Sequence, residues 1–183
     1  KFKEQICTNH YAAEILDVAI VTFNHETQVV MPFTPVEYME PVNLVAGGGT
    51  EMASAVQMAL NMVDERVQCY RHAGSEPYRP WIFMISDGYG GDISAVSELV
   101  RQKERDGHLK FFSLGVEGYD SKALHQLSGD KVLKLDGYDF SGFFDWISWG
   151  RQAPRYPHEP GEKPQLPRLP DNISLDSSDW WLD

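Results

Sequence analysis

Near-continuous apolar runs of strand length constrain the fold of this chain more than any other feature. Residues 16–23 (LDVAIVTF) and 81–86 (WIFMIS) are two such runs, rich in β-branched and aromatic side chains. An unbroken apolar run is typical of a strand covered on both faces, as in a parallel sheet flanked by helices. From residue 81 onward, strand and helix patterns alternate. The sequence therefore predicts an α/β fold: a doubly wound, mostly parallel sheet with helices on both faces.

The remaining elements follow from apolar periodicity, capping residues and turn residues. Residues 24–26 are short enough for a hairpin turn, so the first two strands are expected to be antiparallel neighbours. The predicted elements are, in chain order, strands at 16–23 and 27–33, a helix from Met52 to about Tyr70, a strand at 81–86, a helix capped by Asp92 and ended by Gly107, a strand at 109–116, a short helix opened by Asp120, a last edge strand at 131–135 and an aromatic helix opened by Asp139.

The chain divides by composition into residues 1–151, predicted as one domain, and residues 152–183, predicted as a tail. Six prolines between 154 and 170 exclude a helix or an inner strand from much of that tail. Its end places Trp180, Trp181 and Leu182 among acidic residues. Large aromatic residues often anchor interfaces, so these three are candidates for partner docking. The alternative is that they fold back and cover an apolar groove of the same domain.

The net charge and the two cysteines indicate which kinds of partner and which cellular compartment to expect. The net charge of −11 repels phosphate backbones and anionic membrane surfaces, so nucleic acid and membrane are not expected as partners. No apolar run approaches the roughly 18 to 20 residues of a membrane span, and no signal peptide is recognisable at the start. Cys7 and Cys69 lie in no metal-binding or disulfide pattern. They are expected to be buried thiols, which favours a cytoplasmic location.

Two short motifs are expected at the carboxyl ends of the strands, where open α/β sheets bind ligands. Gly47, Gly48 and Gly49 lead into Thr50 at a helix start, and Ser86-Asp87-Gly88 closes an apolar strand. A hydroxyl and a carboxylate are hard oxygen ligands of the kind that Mg²⁺ prefers, with water completing the coordination. Either motif alone is also typical of a simple turn. Together they predict a site for Mg²⁺, or for Mn²⁺ or Ca²⁺, with Thr50 and Asp87 as ligands.

The order of these motifs resembles a von Willebrand factor A-type (vWA) domain with its metal-ion-dependent adhesion site. The resemblance rests on residues 16–24 (LDVAIVTFN), 47–50 (GGGT) and 83–88 (FMISDG). Residues 132–137 (VLKLDG) and 139–149 (DFSGFFDWISW) are similar more narrowly to the bacterial TerY-like, tellurite-resistance branch. The resemblance covers residues 1–151 and assigns metal ligation to Thr50 and Asp87. It implies a protein partner that supplies an acidic side chain, in a cytoplasmic stress or conflict-response system with an associated kinase or phosphatase.

One part of the family's metal site has no match in this sequence. The family carries an Asp-x-Ser-x-Ser loop after its first, central strand, whereas residues 1–15 are predicted as the end of the following helix. A sheet without its middle strand would expose apolar edges on both sides of the gap. The missing strand is therefore expected to lie upstream of Lys1 or to come from another chain.

Enzyme motifs are absent, which favours an interaction module over a catalyst. Gly49-Thr50 is followed by Glu51 and Met52 and not by the lysine of a phosphate-binding loop. The dinucleotide-binding GxGxxG and the GxSxG nucleophile elbow are also missing. Two alternatives to a metal-dependent interaction module stay open: a magnesium-dependent phosphate-handling enzyme that uses Asp87 and Thr50, and a structural scaffold that needs no metal.

Overall fold

The computed structural model of the chain describes residues 2–7, 10–43, 49–137, 142, 143, 146 and 168–176. The predicted elements that fall on these residues appear in the predicted order, with boundaries that shift by one or two residues, whereas the predicted aromatic helix opened by Asp139 lies largely outside them. In chain order they are α1 (Phe2–Cys7), α2 (His10–Ile15), β1 (Asp17–Phe23), β2 (Thr27–Pro35), a 3₁₀ turn (Val36–Tyr38), α3 (Met52–His72), β3 (Trp81–Ser86), α4 (Ser94–Arg105), β4 (Lys110–Gly115), α5 (Ser121–Ser128), β5 (Val132–Leu135) and β6 (Ile173–Leu175).

The strands form two sheets of different character. β1 and β2 make an antiparallel hairpin, as the short turn at residues 24–26 predicts. The larger sheet has the order β3-β4-β5-β6, in which β3, β4 and β5 run parallel and β6 is antiparallel to β5. Parallel neighbours need crossover connections, which α4 and α5 supply. The predicted α/β class with a mostly parallel sheet is confirmed.

Two apolar clusters cover the two faces of the larger sheet. Successive side chains of β4 alternate between them: Phe111 packs with residues of α3, α4 and α5, and Phe112 packs with Phe143 and Trp146 on the opposite face. Both phenylalanines are almost completely buried. Because both faces are covered, a strand can be apolar at neighbouring positions, which is the pattern that β3 and β4 show.

A gap separates β1 from β3. Among the described residues, β1 pairs only with β2 and β3 pairs only with β4, so the two strands do not pair with each other. Both nevertheless pack on the same helix, since Phe23 of β1 and Met84 of β3 share an apolar cluster with Val56 of α3. This arrangement agrees with the expectation that a further strand lies between them, and the origin of that strand stays a prediction.

Two expectations about the remaining chain are wrong. The strand at 131–135 was expected at the sheet edge, but β6 covers its outer side through the pair Leu133 and Leu175. A strand after the proline-rich stretch was missed because three residues are too few to show a period. The cysteine prediction also fails, since Cys69 is exposed and Cys7 is only partly buried, and both are free thiols.

The predicted helix ends at Asp120 and Gly107 are confirmed, whereas Asp92 is not the N-cap of α4. The Asp120 carboxylate accepts hydrogen bonds from the backbone N–H groups of Lys122 and Ala123 and so caps α5. Gly107 follows α4 with a φ of +75°, a conformation that favours glycine. Asp92 acts one residue earlier than a regular cap, because its carboxylate accepts from Ser94, the first residue of α4. Within the described part of the chain, no helix combines the length and apolarity of a membrane span.

Candidate functional site

The turn after β3 presents Asp87 at the carboxyl end of the sheet. The Ser86 hydroxyl is buried and accepts a hydrogen bond from the Gly88 N–H at 3.0 Å. The exposed Asp87 carboxylate accepts one from the Tyr89 N–H at 3.1 Å. These two bonds fold residues 86–89 into a tight turn. The carboxylate is thereby oriented while it stays exposed to solvent.

Gly88 holds this turn against the start of α5. Its φ is +78°, and a Cβ at this position would lie 2.8 Å from the carbonyl oxygen of Asp120. Any other residue would combine an unfavourable backbone conformation with a clash against backbone atoms. The Asp120 N–H also donates a hydrogen bond of 2.7 Å to the carbonyl oxygen of Asp87. The requirement for glycine is therefore steric as well as conformational.

The loop before α3 is held by the β1–β2 hairpin. The Gly49 N–H donates to the His25 ring, 3.2 Å from Nδ1, and the Glu51 N–H donates to the Asn24 carbonyl at 3.0 Å. A Cβ on Gly49 would lie 2.9 Å from His25 Nδ1, so glycine permits the close approach. Thr50 lies between these two anchored residues and is partly buried. Sequence reasoning missed the role of His25, because nothing local distinguishes it from a surface histidine.

The two loops meet at the same edge of the sheet. A Cβ on Gly90 would lie 3.3 Å from the Thr50 carbonyl oxygen and 3.3 Å from the Met52 Cβ. The structure therefore brings the loops of Thr50 and Asp87 together, and a shared cation between the two side chains stays a prediction. Gly47 and Gly48, predicted to support the metal loop, lie outside the described residues. Trp180, Trp181 and Leu182, predicted to dock a partner, also lie outside them.

A cleft of about 240 Å³ adjoins this edge. Its lining includes Met52, Tyr89, Asp92, Asp120, Lys122 and Gln126. Hydrogen bonds from the Ser94 hydroxyl and backbone N–H hold the pKa of Asp92 below its usual range, so this carboxylate is ionised at neutral pH. Two carboxylates against one ammonium give the cleft a negative balance, which suits a cationic group better than a phosphate.

The ligand set at this edge fits a cation in part. Within the described ranges, no group of three or more His, Cys, Asp or Glu side chains is placed to bind a metal. Thr50 and Asp87 offer two hard oxygen ligands, the type that Mg²⁺, Mn²⁺ and Ca²⁺ accept. Two protein ligands leave most positions of an octahedral sphere to water or to an incoming group. The residues thus suit a weakly held cation that exchanges ligands.

A second polar cluster lies beside the first and was also missed. Asp176, just after β6, accepts hydrogen bonds from the Ser121 hydroxyl and from Tyr119, and His125 Nε2 lies 3.1 Å from its Oδ2. Burial, followed by the hydrogen bond to Asp176, raises the pKa of Tyr119 to about 12. The phenol is therefore a permanent donor. Asp176 is 55 residues from Ser121 in sequence, so no local pattern connects them.

Comparison with known proteins gives one family and one fold. The family model described as the von Willebrand factor type A domain matches residues 10–140. Two solved structures of proximal thread matrix protein 1 from the mussel byssus share the fold. One has a TM-score of 0.54 at 15% identity. The other, described as having a zinc-occupied MIDAS (metal-ion-dependent adhesion site) motif, has a TM-score of 0.52 at 14% identity.

Each of these structural matches covers 80% of this chain but only 39% of the mussel protein. At such identities the likeness shows the fold alone. No curated protein matches the sequence.

Proposed function

Because the chain belongs to the von Willebrand factor type A domain family, we propose that it is a metal-dependent protein–protein interaction module and not an enzyme. Its cation is held at the carboxyl edge of β3 by Thr50 and Asp87. The observation that carries this proposal is the contact of the two loops through Gly90 and the Thr50 carbonyl oxygen. The mussel relative described as having a zinc-occupied MIDAS motif supports a divalent cation at this type of site.

The proposed mechanism is recruitment of an acidic partner side chain. When bound, the cation supplies an electrophilic centre for a carboxylate oxygen. Asp87 would hold it with a carboxylate oriented by the Tyr89 N–H. Thr50 would add a neutral hydroxyl from a loop fixed through Gly49 and Glu51. Since these residues contribute a single negative charge, the cation stays attractive to a partner's carboxylate.

Further ligands are proposed to come with the strand that fills the gap between β1 and β3. That strand would end at the same edge as Asp87 if it runs parallel to β3. The resemblance of residues 132–137 and 139–149 to the TerY-like branch supports a more specific role. The module would then act in a bacterial tellurite-resistance or stress-response system, in the cytoplasm, with a kinase or phosphatase as associated partner.

The proposal is tested with Mn²⁺ as a paramagnetic probe of the backbone amide signals in NMR spectra. Selective broadening is expected at Thr50 and at residues 87–89. Thr50→Ala and Asp87→Asn should abolish it, whereas Asp106→Asn, at the far end of α4, should leave it unchanged. Broadening centred elsewhere, or equal in all variants, would overturn the assignment.

Two rival functions give different results in companion assays. Nucleotide hydrolysis that requires Mg²⁺ and is lost in Asp87→Asn would favour the phosphate-handling enzyme, although the negative cleft beside Asp87 argues against it. Partner binding that survives EDTA would favour the metal-independent scaffold. A partner captured only with divalent cation present, and lost in Thr50→Ala, supports the interaction module.

A further inference from the structure

The carboxylate of Asp176 is held in a compact set of donors on and before α5. Its Oδ2 accepts a hydrogen bond from the Ser121 hydroxyl, and His125 Nε2 lies 3.1 Å away. Tyr119 also donates to this carboxylate. The side chain of Asp176 is 24% exposed, so most of it is enclosed by these groups. Together the hydrogen bonds, that of Ser121 foremost, keep the pKa of Asp176 below its usual range.

Two of the side chains around Asp176 are themselves held in place. The His125 Nδ1 lies 2.7 Å from the Gly129 carbonyl oxygen, which fixes the ring at the end of α5. The Tyr119 ring packs so closely on Gly115 that a Cβ there would lie 2.5 Å from the ring. These three side chains, Tyr119, Ser121 and His125, are here called the carboxylate socket. A preformed socket binds its anion with little loss of side-chain entropy.

The socket positions the end of the C-terminal strand. β6 has three residues, and one further backbone hydrogen bond to the β5 segment lies on each side of it. The Asp136 N–H donates to the Asn172 carbonyl at 2.9 Å, and the Asp176 N–H donates to the Val132 carbonyl at 3.0 Å. So short a strand buries little apolar surface, chiefly Ile173. The hydrogen bonds to Asp176 therefore add to the backbone pairing with β5 and to the packing of Leu169, Ile173 and Leu175 in holding the strand.

The socket also touches the metal edge through three consecutive residues. Tyr119 and Ser121 hold Asp176 by their side chains, and Asp120 between them holds the Asp87 turn by its backbone. The Asp120 N–H donates to the Asp87 carbonyl at 2.7 Å, and its carbonyl oxygen lies against Gly88. Through these contacts, a shift of residues 119–121 on emptying of the socket would be transmitted to the Asp87 turn.

We propose that occupation of the carboxylate socket by Asp176 sets the position of the Asp87 turn, so that docking of the C-terminal strand regulates the metal edge. The metal part of this inference rests on the proposed function, whereas the coupling of the socket to the Asp87 turn does not. With the strand docked, the turn is preorganised for a cation. With the socket empty, cation affinity falls by about fivefold, the low end of typical coupling between sites.

The test compares Asp176→Asn, in the chain of residues 1–183, with Asp171→Asn, which removes the same charge from an exposed turn just before β6. Backbone NMR shifts are recorded without metal. Asp176→Asn should shift the amides of residues 87–90 as well as those of the socket, and Asp171→Asn should shift neither set. Shifts confined to the socket and to residues 172–176 would overturn the coupling.

A second experiment distinguishes loss of the carboxylate from loss of the folded structure. In Asp176→Gly the socket is refilled with free acetate, and acetamide serves as the neutral control of the same shape. Acetate should return the NMR chemical shifts of the backbone amides of residues 87–90 toward the values of the unaltered protein, and acetamide should not. Ser121→Ala, which removes one donor, should give a smaller shift in the same direction. Equal effects of acetate and acetamide would contradict the socket.

Mn²⁺ affinity is then measured in the same variants. A loss of about fivefold in Asp176→Asn that acetate reverses in Asp176→Gly supports regulation of the metal edge. If the unaltered protein binds no Mn²⁺, the proposed function fails, yet the amide shifts still decide whether the socket and the Asp87 turn are coupled. If the amide signals of residues 87–90 shift but the Mn²⁺ affinity stays unchanged, the coupling stands and the proposed regulation of the metal edge is overturned.

Discussion

The Tyr70 hydroxyl donates a hydrogen bond of 2.5 Å to Asp17 Oδ2, which joins the end of α3 to the start of β1. Arg66, one turn earlier, donates its Nε to the same oxygen at 2.7 Å and lies 4.9 Å from the centre of the Tyr70 ring. Burial, and then the hydrogen bond to Asp17, raises the pKa of Tyr70, so the phenol remains a donor. One carboxylate thus connects the two-stranded hairpin to the helix that also covers the larger sheet.

We predict that Asp17→Ala lowers the free energy of unfolding by about 2–3 kcal/mol, because it strands the partly buried Arg66 charge. Tyr70→Phe should cost about 1 kcal/mol, the value of one hydrogen bond. The control is Arg71→Ala on the same helix, whose pair with Glu76 is 56% and 79% exposed. It should cost less than about 0.5 kcal/mol. Urea denaturation measures all three, and equal losses at Asp17 and Arg71 would contradict the role of the cluster.

Gly88→Ala should be more damaging than Gly118→Ala. The two glycines have almost the same φ, +78° and +79°, so both substitutions carry the same backbone strain of about 1 kcal/mol. A Cβ on Gly118 has nothing within 4 Å, whereas one on Gly88 meets the Asp120 carbonyl at 2.8 Å. The difference in unfolding free energy between the variants therefore measures the contact of the Asp87 turn with α5. No difference would mean that this contact is not tight in solution.

Stability should depend on Asp176 in a defined pH window. The pKa of this carboxyl is lowered by folding, so its contribution is complete above the unfolded value of about 3.9. It is lost as pH falls through the lower folded value. The gap in urea midpoint between the unaltered protein and Asp176→Asn should thus be present above about pH 5 and should close toward acid. A gap that stays constant into strong acid would show that the charge of Asp176 is not what the socket recognises.

Two truncations separate the strand from the end of the tail. Removal of residues 177–183 leaves β6 and Asp176 in place and should change the melting temperature little if Trp180 and Trp181 dock a partner. A loss of stability would instead favour their folding back on this domain. Removal of residues 173–183 should always lower stability, because it exposes β5 and empties the socket. Partner pull-down with both variants completes the comparison.

Several features of this protein were determined by the sequence alone. The near-continuous apolar runs of β1 and β3, together with the alternation of strand and helix patterns from residue 81, were enough to predict the α/β class. Asp120 and Gly107 mark helix ends because capping depends on neighbours within four residues. Thr50 and Asp87 were predicted as metal ligands from short motifs, from the family resemblance and from the rule that parallel strands end at one edge of the sheet, and their ligand role stays a prediction. Their loops do meet there.

Tertiary structure decided everything that depends on distant parts of the chain. No sequence pattern near Leu135 predicts that β6 pairs with β5, since a strand of three residues is too short to show a hydrophobic period. His25 against Gly49, and Asp176 against Ser121, are contacts across 24 and 55 residues. Cys69 is exposed although cysteine is commonly buried, because its position on α3 faces solvent and not either sheet. Local propensity and periodicity are set by near neighbours, whereas these contacts exist only after the sheet and its helices have packed.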